Sequence, residues 1–160
     1  MILSDGTLEM PMTTPLWGLP DPDTKPEFYA DVPAKRLLAW IIDTVLIALI
    51  TAVIVPFTAF TALFFLPFLY MAVGLIYRIA TIASRSATPG MRLVAIELRR
   101  HDGQRFDLGM ATLHTLAYSV SVAMMFPQLI SIILMLTSER AQGLSDHLLG
   151  TAALNRAARS

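Results

Sequence analysis

Leu37-Leu38-Ala39-Trp40-Ile41-Ile42-Asp43-Thr44-Val45-Leu46-Ile47-Ala48-Leu49-Ile50-Thr51-Ala52-Val53-Ile54-Val55-Pro56-Phe57 opens a stretch that runs on to Tyr77 with one formal charge, Asp43, in 41 residues. A helix crossing a bilayer needs about 20 apolar residues. One unbroken helix over the whole stretch would reach about 62 Å, roughly twice the hydrocarbon thickness. The stretch is therefore two spans, parted at Val55-Pro56-Phe57-Thr58. The first is expected over 34–55 and the second over 59–82, the latter kinked at Pro67, which membrane helices tolerate.

A second uncharged stretch, 108–138, has 31 residues, with His114 its only group titrating near neutrality. As one helix it would be about 46 Å long, which suits a bilayer only when tilted or partly interfacial. Pro127-Gln128 divides it into 109–126 and 129–138, and a tight hairpin of two short arms is the rival. Charge favours the hairpin. Lys35 and Arg36 precede the first span, and the connection after it carries no charge. The segment after the second span holds Arg78, Arg85, Arg92, Arg99, Arg100 and Arg105. The positive-inside rule then puts the N-terminus and that segment in the cytoplasm. A single third span would leave Arg140, Arg156 and Arg159 outside, whereas a hairpin keeps every Lys and Arg inside. The expected architecture is an all-α membrane protein, a bundle of three to four hydrophobic helices, multi-pass in the cell (inner) membrane, with both termini cytoplasmic. The first residues lack a basic and then apolar signal pattern, so the first span is expected to direct insertion.

Composition agrees with this reading. Of 160 residues 55% are hydrophobic and only 15% charged, against about 25% charged in an average soluble domain. Twelve basic and twelve acidic groups cancel, while a nucleic-acid binder would carry a basic excess. Nucleic acid is thus not an expected partner. The lipid bilayer is, together with a second copy of the chain, because four short helices enclose little volume. Having no cysteine, the chain has no disulfide, thiol nucleophile or Cys-based zinc site. The neutral total hides a map. Residues 1–36 sum to −3, 78–107 to +3 and 138–160 to +1, and Asp43 supplies the remaining −1.

Residues 1–28 read as an acidic, proline-rich tail, residues 29–155 as the membrane domain and 156–160 as a short C-terminal tail. Six prolines and six carboxylates fall in residues 1–33 beside one lysine, a composition that buries no core and is expected to be disordered. In the arginine-rich segment Thr88-Pro89-Gly90 signals a turn. Alternating Val94, Ile96 and Leu98 then predict a strand over 91–98, paired across Asp102-Gly103 with residues near Phe106 in a cytoplasmic hairpin-like loop. Its arginines could equally track anionic headgroups.

Asp43 is the residue most open to chemistry. An ionised carboxylate in a span costs about 2.5–3.5 kcal/mol on insertion scales, so it is paired, protonated or facing a hydrated cavity. It sits seven residues beyond Arg36, two turns on along the same face and about 10 Å deeper. Two readings follow: a cation or proton site, or a structural partner for Arg36 or another cytoplasmic-side arginine. Counting depth down a second helix that leaves the membrane near Arg78 brings Tyr70 level with Asp43 as a hydroxyl donor. Tyr77 and Trp40 read as interfacial anchors. His114, Tyr118 and Ser121 fall on one polar helix face, suited to hydrogen-bonding another helix or to a proton path through His114. No constellation for catalysis is visible: there is no G-x-G-x-x-G, P-loop, H-E-x-x-H or G-x-S-x-G. His101, His114 and His147 have no metal-ligand spacing. Neither an enzyme, nor a cofactor, nor a metal site is expected.

Three segments together resemble the RDD family of small polytopic membrane proteins, named for one arginine and two aspartates. The segment from Tyr29 through Asp31, Arg36 and Trp40 to Asp43 is similar to its first helix, which puts the family arginine on Arg36 and the first aspartate on Asp43. Ala87-Thr88-Pro89-Gly90-Met91-Arg92-Leu93 is similar to its T-P-G-K loop, with the D-G turn at Asp102-Gly103. Arg140-Ala141-Gln142-Gly143-Leu144-Ser145-Asp146-His147-Leu148-Leu149-Gly150-Thr151 is similar to its closing R-x-x-x-L-H-D-x-x-x-G-T, which puts the second aspartate on Asp146. Met91 replaces the usual lysine, Ser145 the usual histidine, and His114 stands where an arginine often opens the third helix, so roles of those family side chains do not carry over. The resemblance implies a charge cluster of Arg36, Asp43 and Asp146, which needs Asp146 on the same side as Arg36. It also implies transport, of a monovalent cation against a proton or of a small solute. The rival is a membrane scaffold or accessory subunit that moves nothing and uses the Arg/Asp network structurally.

Overall fold

The computed structural model describes residues 18–156. A single 3-10 turn at Pro26–Phe28 leads into α1 (Val32–Phe57), and a second 3-10 segment, Thr61–Phe65, leads into α2 (Leu66–Arg85). Next come a short helix α3 (Pro89–Leu93), strand β1 (Ile96–Arg100), helices α4 (Leu108–Ala123) and α5 (Met125–Thr137), a short α6 (Leu144–Leu149) and strand β2 (Thr151–Asn155).

The spanning helices are turned inside out relative to a soluble bundle. On α1 the buried residues Ala39, Asp43, Ile47, Thr51 and Val55 recur every four positions and form one stripe. Leu37, Leu38, Trp40, Ile41, Val45, Leu49, Ile50 and Val53 are exposed around it. A helix apolar on all sides is stable only when its whole surface avoids water, and here most of that surface faces outward. The surrounding medium is lipid, and the chain is an all-α membrane protein. Two helices among the described residues are long and apolar enough to cross a membrane, or three if α4 and α5 act as one bent span.

The first span runs two residues further at each end than expected. Pro56 lies in its last turn, where its bulk meets the helix end rather than its middle. Pro67 is the second residue of α2, a position where proline costs nothing because the N–H it lacks would be unpaired anyway. It opens this helix and does not kink it. The connection between the spans is tight, with Ala59 and Phe60 both at positive φ. At the other end α2 continues to Arg85, one turn past the expected limit.

Asp107 fixes the start of α4, its carboxylate accepting the Met110 N–H at 2.7 Å, an N-cap that satisfies an otherwise orphan donor. The break between α4 and α5 falls at the extended Met124, ahead of Pro127-Gln128. Pro127 is absorbed in the first turn of α5. The two arms are bent by 114°, so α5 turns back past a right angle. The pair is neither a straight tilted helix nor a closed hairpin.

A small antiparallel sheet is present, but its first strand is Ile96–Arg100 and not 91–98, because Pro89–Leu93 is helical, and its pairing differs from the expected hairpin. Asp102-Gly103 does form a turn, with Gly103 N–H donating to the Arg100 carbonyl at 2.8 Å and Arg100 N–H to Gln104 at 3.0 Å. The strand partner, however, is β2 near the C-terminus, in the register Ile96↔Asn155, Leu98↔Ala153, Arg100↔Thr151. The chain near Phe106 is diverted because its N–H is taken by the Ser86 hydroxyl at 2.7 Å. Ser86 also accepts the Leu98 N–H at its carbonyl, 2.7 Å away, so β1 is tied to the end of α2.

Both faces of the sheet are covered. Ile96, Leu98 and Ala153 pack with Val32, Ile82, Phe106 and Ala111 from the helix ends. Ala152 and Leu154 pack on the opposite face with Leu19, Phe28 and Tyr29. The acidic segment expected to stay disordered is therefore ordered from residue 18 onward, since Leu19 and Tyr29 supply the apolar anchors that its average composition hides. Tyr29 also donates from its hydroxyl to the Pro20 carbonyl at 2.7 Å. Residues 1–17 and 157–160, which hold the rest of the two expected tails, lie outside the described residues.

Candidate functional site

Arg36 and Asp43 share a face of α1, yet they do not meet; each is completed by a different returning segment. Arg36 Nη1 binds Asp146 Oδ2 at 2.6 Å. Asp146 belongs to α6 and is fully buried. It accepts further hydrogen bonds from His114 Nε2 at 2.9 Å, from Thr151 Oγ1 at 2.9 Å and from the Gly143 N–H at 3.0 Å. Burial alone would disfavour its charge. The Arg36 guanidinium, then His114 and the Gly143 amide, more than offset that penalty and hold the carboxyl well below the usual carboxylate range. An ionised carboxylate only accepts, so the hydrogen facing it from His114 must sit on Nε2. His114 thus serves as a bridge from α4 to α6. The polar helix face is expected from sequence to hydrogen-bond another helix or to carry a proton path; its partner, the second aspartate, is not foreseen there.

Asp43 is only 3% exposed and has neutral partners. Tyr77 Oη donates to its Oδ1 at 2.7 Å, Thr88 Oγ1 to its Oδ2 at 2.5 Å and the Gly90 N–H to Oδ1 at 2.9 Å. No ion pair to Asp43 occurs among the described residues, which removes the expected pairing with Arg36 or a neighbouring arginine. Seven residues along one helix keep the two ends about 10 Å apart axially. The Thr88-Pro89-Gly90 segment is what reaches Asp43. Thr88 caps α3 by accepting the Met91 N–H at 3.2 Å, and Pro89 fits the first helical position. Gly90 then approaches α1 so closely that a Cβ there would overlap the Ala39 carbonyl oxygen and lie 2.8 Å from Asp43 Oδ1.

Tyr70 is not a partner of Asp43; it is 37% exposed on the outside of α2. The donor is Tyr77, assigned from sequence to the interface. The displacement has a simple cause. Arg78 does not mark the end of α2, which continues seven residues further to Arg85, the same interval that separates Tyr77 from Tyr70. Tyr118 takes a different partner, its ring lying 5.0 Å from the Arg78 guanidinium carbon, within cation–π range. Ser121 contacts Gln128 at 3.2 Å, joining α4 to α5.

Several supporting residues carried no signal that could be read in advance. Lys35 Nζ donates to Asn155 Oδ1 at 2.7 Å, and Asn155 donates back to the carbonyls of Glu27 and Ala30 at 2.9 and 2.7 Å. The end of β2 is thereby fastened to the start of α1. Gln142 Nε2 donates to the Thr151 carbonyl at 2.6 Å, and Ser131 on α5 accepts the Leu144 N–H at 3.0 Å. Thr88, Gly90 and Thr151 lie inside the recognised motifs, and so do their targets Asp43 and Asp146, but the motifs do not say which residue pairs with which. Among the described residues no group of three or more His, Asp or Glu side chains is arranged to hold a metal ion.

The arrangement comprises two buried carboxylates: Asp43 on α1, bound by neutral groups of α2 and the Thr88-Pro89-Gly90 segment, and Asp146 on α6, charge-paired with Arg36 of α1. No curated protein and no solved structure matches the chain. The family model described as the RDD family matches residues 31–150, a stretch that contains Arg36, Asp43, His114 and Asp146, and the chain belongs to the RDD family of membrane proteins.

Proposed function

We propose that this protein transports a monovalent cation, a proton or a small solute across the cell (inner) membrane, with Asp43 as the carboxylate that binds and releases the cation. One observation carries this reading. Asp43 is buried inside the first spanning helix, yet its partners are two hydroxyls and an amide, with no basic side chain to neutralise it. A carboxylate so placed keeps oxygen ligands for a proton or a hard cation, and hydroxyl neighbours such as Tyr77 and Thr88 can turn to accept as well as donate. Arg36, Asp146 and His114 form the fixed frame beside it, and the Arg78 guanidinium lies over the Tyr118 ring. A single copy encloses little volume, so the pathway is built by two or more copies. The same-end clustering of Lys35, Arg36, β1 and β2 supports a topology with both chain ends on the arginine-rich, cytoplasmic side.

The second reading is a scaffold without transport, with no enzymatic step in either case. It draws support from the hydrogen bonds on both oxygens of each aspartate, which fit a device that staples loops to α1. Cation flux into proteoliposomes separates the two. Under the transport reading Asp43→Asn abolishes flux while folded yield stays close to wild type. Flux retained by Asp43→Asn would refute the assignment, and wild-type protein without flux but with Asp43→Asn poorly folded would favour the scaffold.

A further inference from the structure

We infer that the arginine-lined cavity at the end of α2 is a binding site for the phosphate headgroup of an anionic phospholipid. A cavity of about 400 Å³ is walled by Ser84, Arg85, Arg92, Glu97, Arg105 and Arg156. These six come from five separate segments: the end of α2, α3, β1, the chain before α4, and the residue after β2. Their gathering is built into the backbone. The Ser86 hydroxyl accepts the Phe106 N–H at 2.7 Å, which sets Arg85 and Arg105 on adjoining strands of chain. The Ser86 carbonyl accepts the Leu98 N–H at 2.7 Å, which brings Glu97 alongside, and the Arg156 N–H donates to the Ala95 carbonyl at 2.7 Å.

The lining residues sum to +3, from four arginines and one glutamate. Glu97 already binds Arg99 through Oε1 at 2.7 Å, and Arg156 reaches its other oxygen only at 3.8 Å. Arg85, Arg92 and Arg105 form no ion pair with a carboxylate among the described residues. Converging guanidinium groups present planar forks of donors that match a phosphate bidentately. Their place distinguishes a lipid from a soluble phosphate. Arg85 ends a spanning helix, so the cavity sits at headgroup depth. A second cavity of about 350 Å³ shares Arg92 and Arg156 and adds Pro89 and Leu93. Leu93 is 73% exposed, on the short helix that packs beside α1. An apolar flank next to a phosphate-sized basic cleft suits a molecule with a charged head and a hydrocarbon body. Diffuse attraction of cytoplasmic arginines to a bilayer would require none of this convergence.

Native mass spectrometry of the full-length protein in a neutral detergent, titrated with phosphatidylglycerol or phosphatidylcholine, tests the site. Phosphatidylglycerol should bind in preference, with Arg92→Gln and Arg105→Gln each weakening the first bound molecule about fivefold. Arg100→Gln removes the same charge from outside the cavity and should leave that affinity unchanged. Arg92→Lys keeps the charge but loses the planar fork, and should also bind less tightly than wild type. If Arg92→Lys matches wild type, or Arg100→Gln weakens binding as much as Arg92→Gln, the attraction is diffuse and the site is refuted. Inorganic pyrophosphate binding with the same arginine dependence, in the absence of phosphatidylglycerol binding, would refute the lipid assignment. Thermal melting of each lipid-free variant checks the fold, and Arg85→Gln replaces any variant that melts early.

Discussion

Asp146 keeps its charge in a fully buried site because the chain supplies a guanidinium partner and three further donors. That dependence sets the cost of breaking it. Arg36→Gln leaves a buried carboxylate without its cation, a change that typically destabilises by about 3–5 kcal/mol, and thermal melting in detergent should show a loss of that order. The carboxyl is held below its unfolded value, near 3.9. Its stabilising effect is therefore present above about pH 4 and lost as pH falls from there through the folded value. Melting temperature should decline on acidification in that window, and Asp146→Asn should start lower and decline less. An equal acid slope in the Asn variant would show that other carboxylates govern it. At this scale the sequence was informative about identity and poor about partners. Arg36, Asp43 and Asp146 could be named from their motifs. The partner of Asp43 lies two helical turns from the position implied by an end at the first arginine, Arg78, because α2 continues to Arg85 and Arg78 lies over the ring of Tyr118.

Short elements do most of the positioning, and they were the least legible. The long apolar runs announce α1 and α2 by length and lack of charge. β2 does not announce itself. Thr151-Ala152-Ala153-Leu154-Asn155 has no β-branched alternation and pairs with a strand some 50 residues away, so only tertiary packing makes it a strand. α3 matters through one close approach. Gly90→Ala would drive a methyl into the Ala39 carbonyl and Asp43 Oδ1, both fixed on a helix backbone or in a bonded carboxylate. Overpacking of that kind costs about 1–3 kcal/mol, and the variant should melt earlier and lose the Asp43–Gly90 bond. Gly109→Ala is the contrast, since its Cβ would meet only Asp107 Oδ1, at 3.4 Å. There alanine should be neutral or slightly stabilising by its helix preference. Equal losses for the two glycines would show that α3 does not press on α1.

At the scale of the whole molecule, everything distinctive lies at one end. The start of α1, the arginine-rich segment and the residues from Gly143 to Arg156 are interlocked through Arg36–Asp146, Lys35–Asn155 and the β1–β2 sheet. We propose on this ground that α4 and α5 leave and return on the same side of the membrane, a path compatible with the 114° bend between them. Because the chain has no native cysteine, single-cysteine variants report sidedness without background. The decisive measurement is labelling of Thr61→Cys, Gln104→Cys and Glu139→Cys by a membrane-impermeant maleimide in intact cells and in inverted vesicles. Gln104→Cys and Glu139→Cys should react only in inverted vesicles, and Thr61→Cys only in cells. Labelling of Glu139→Cys from the same side as Thr61→Cys would contradict the fold, because Asp146 could not then reach Arg36.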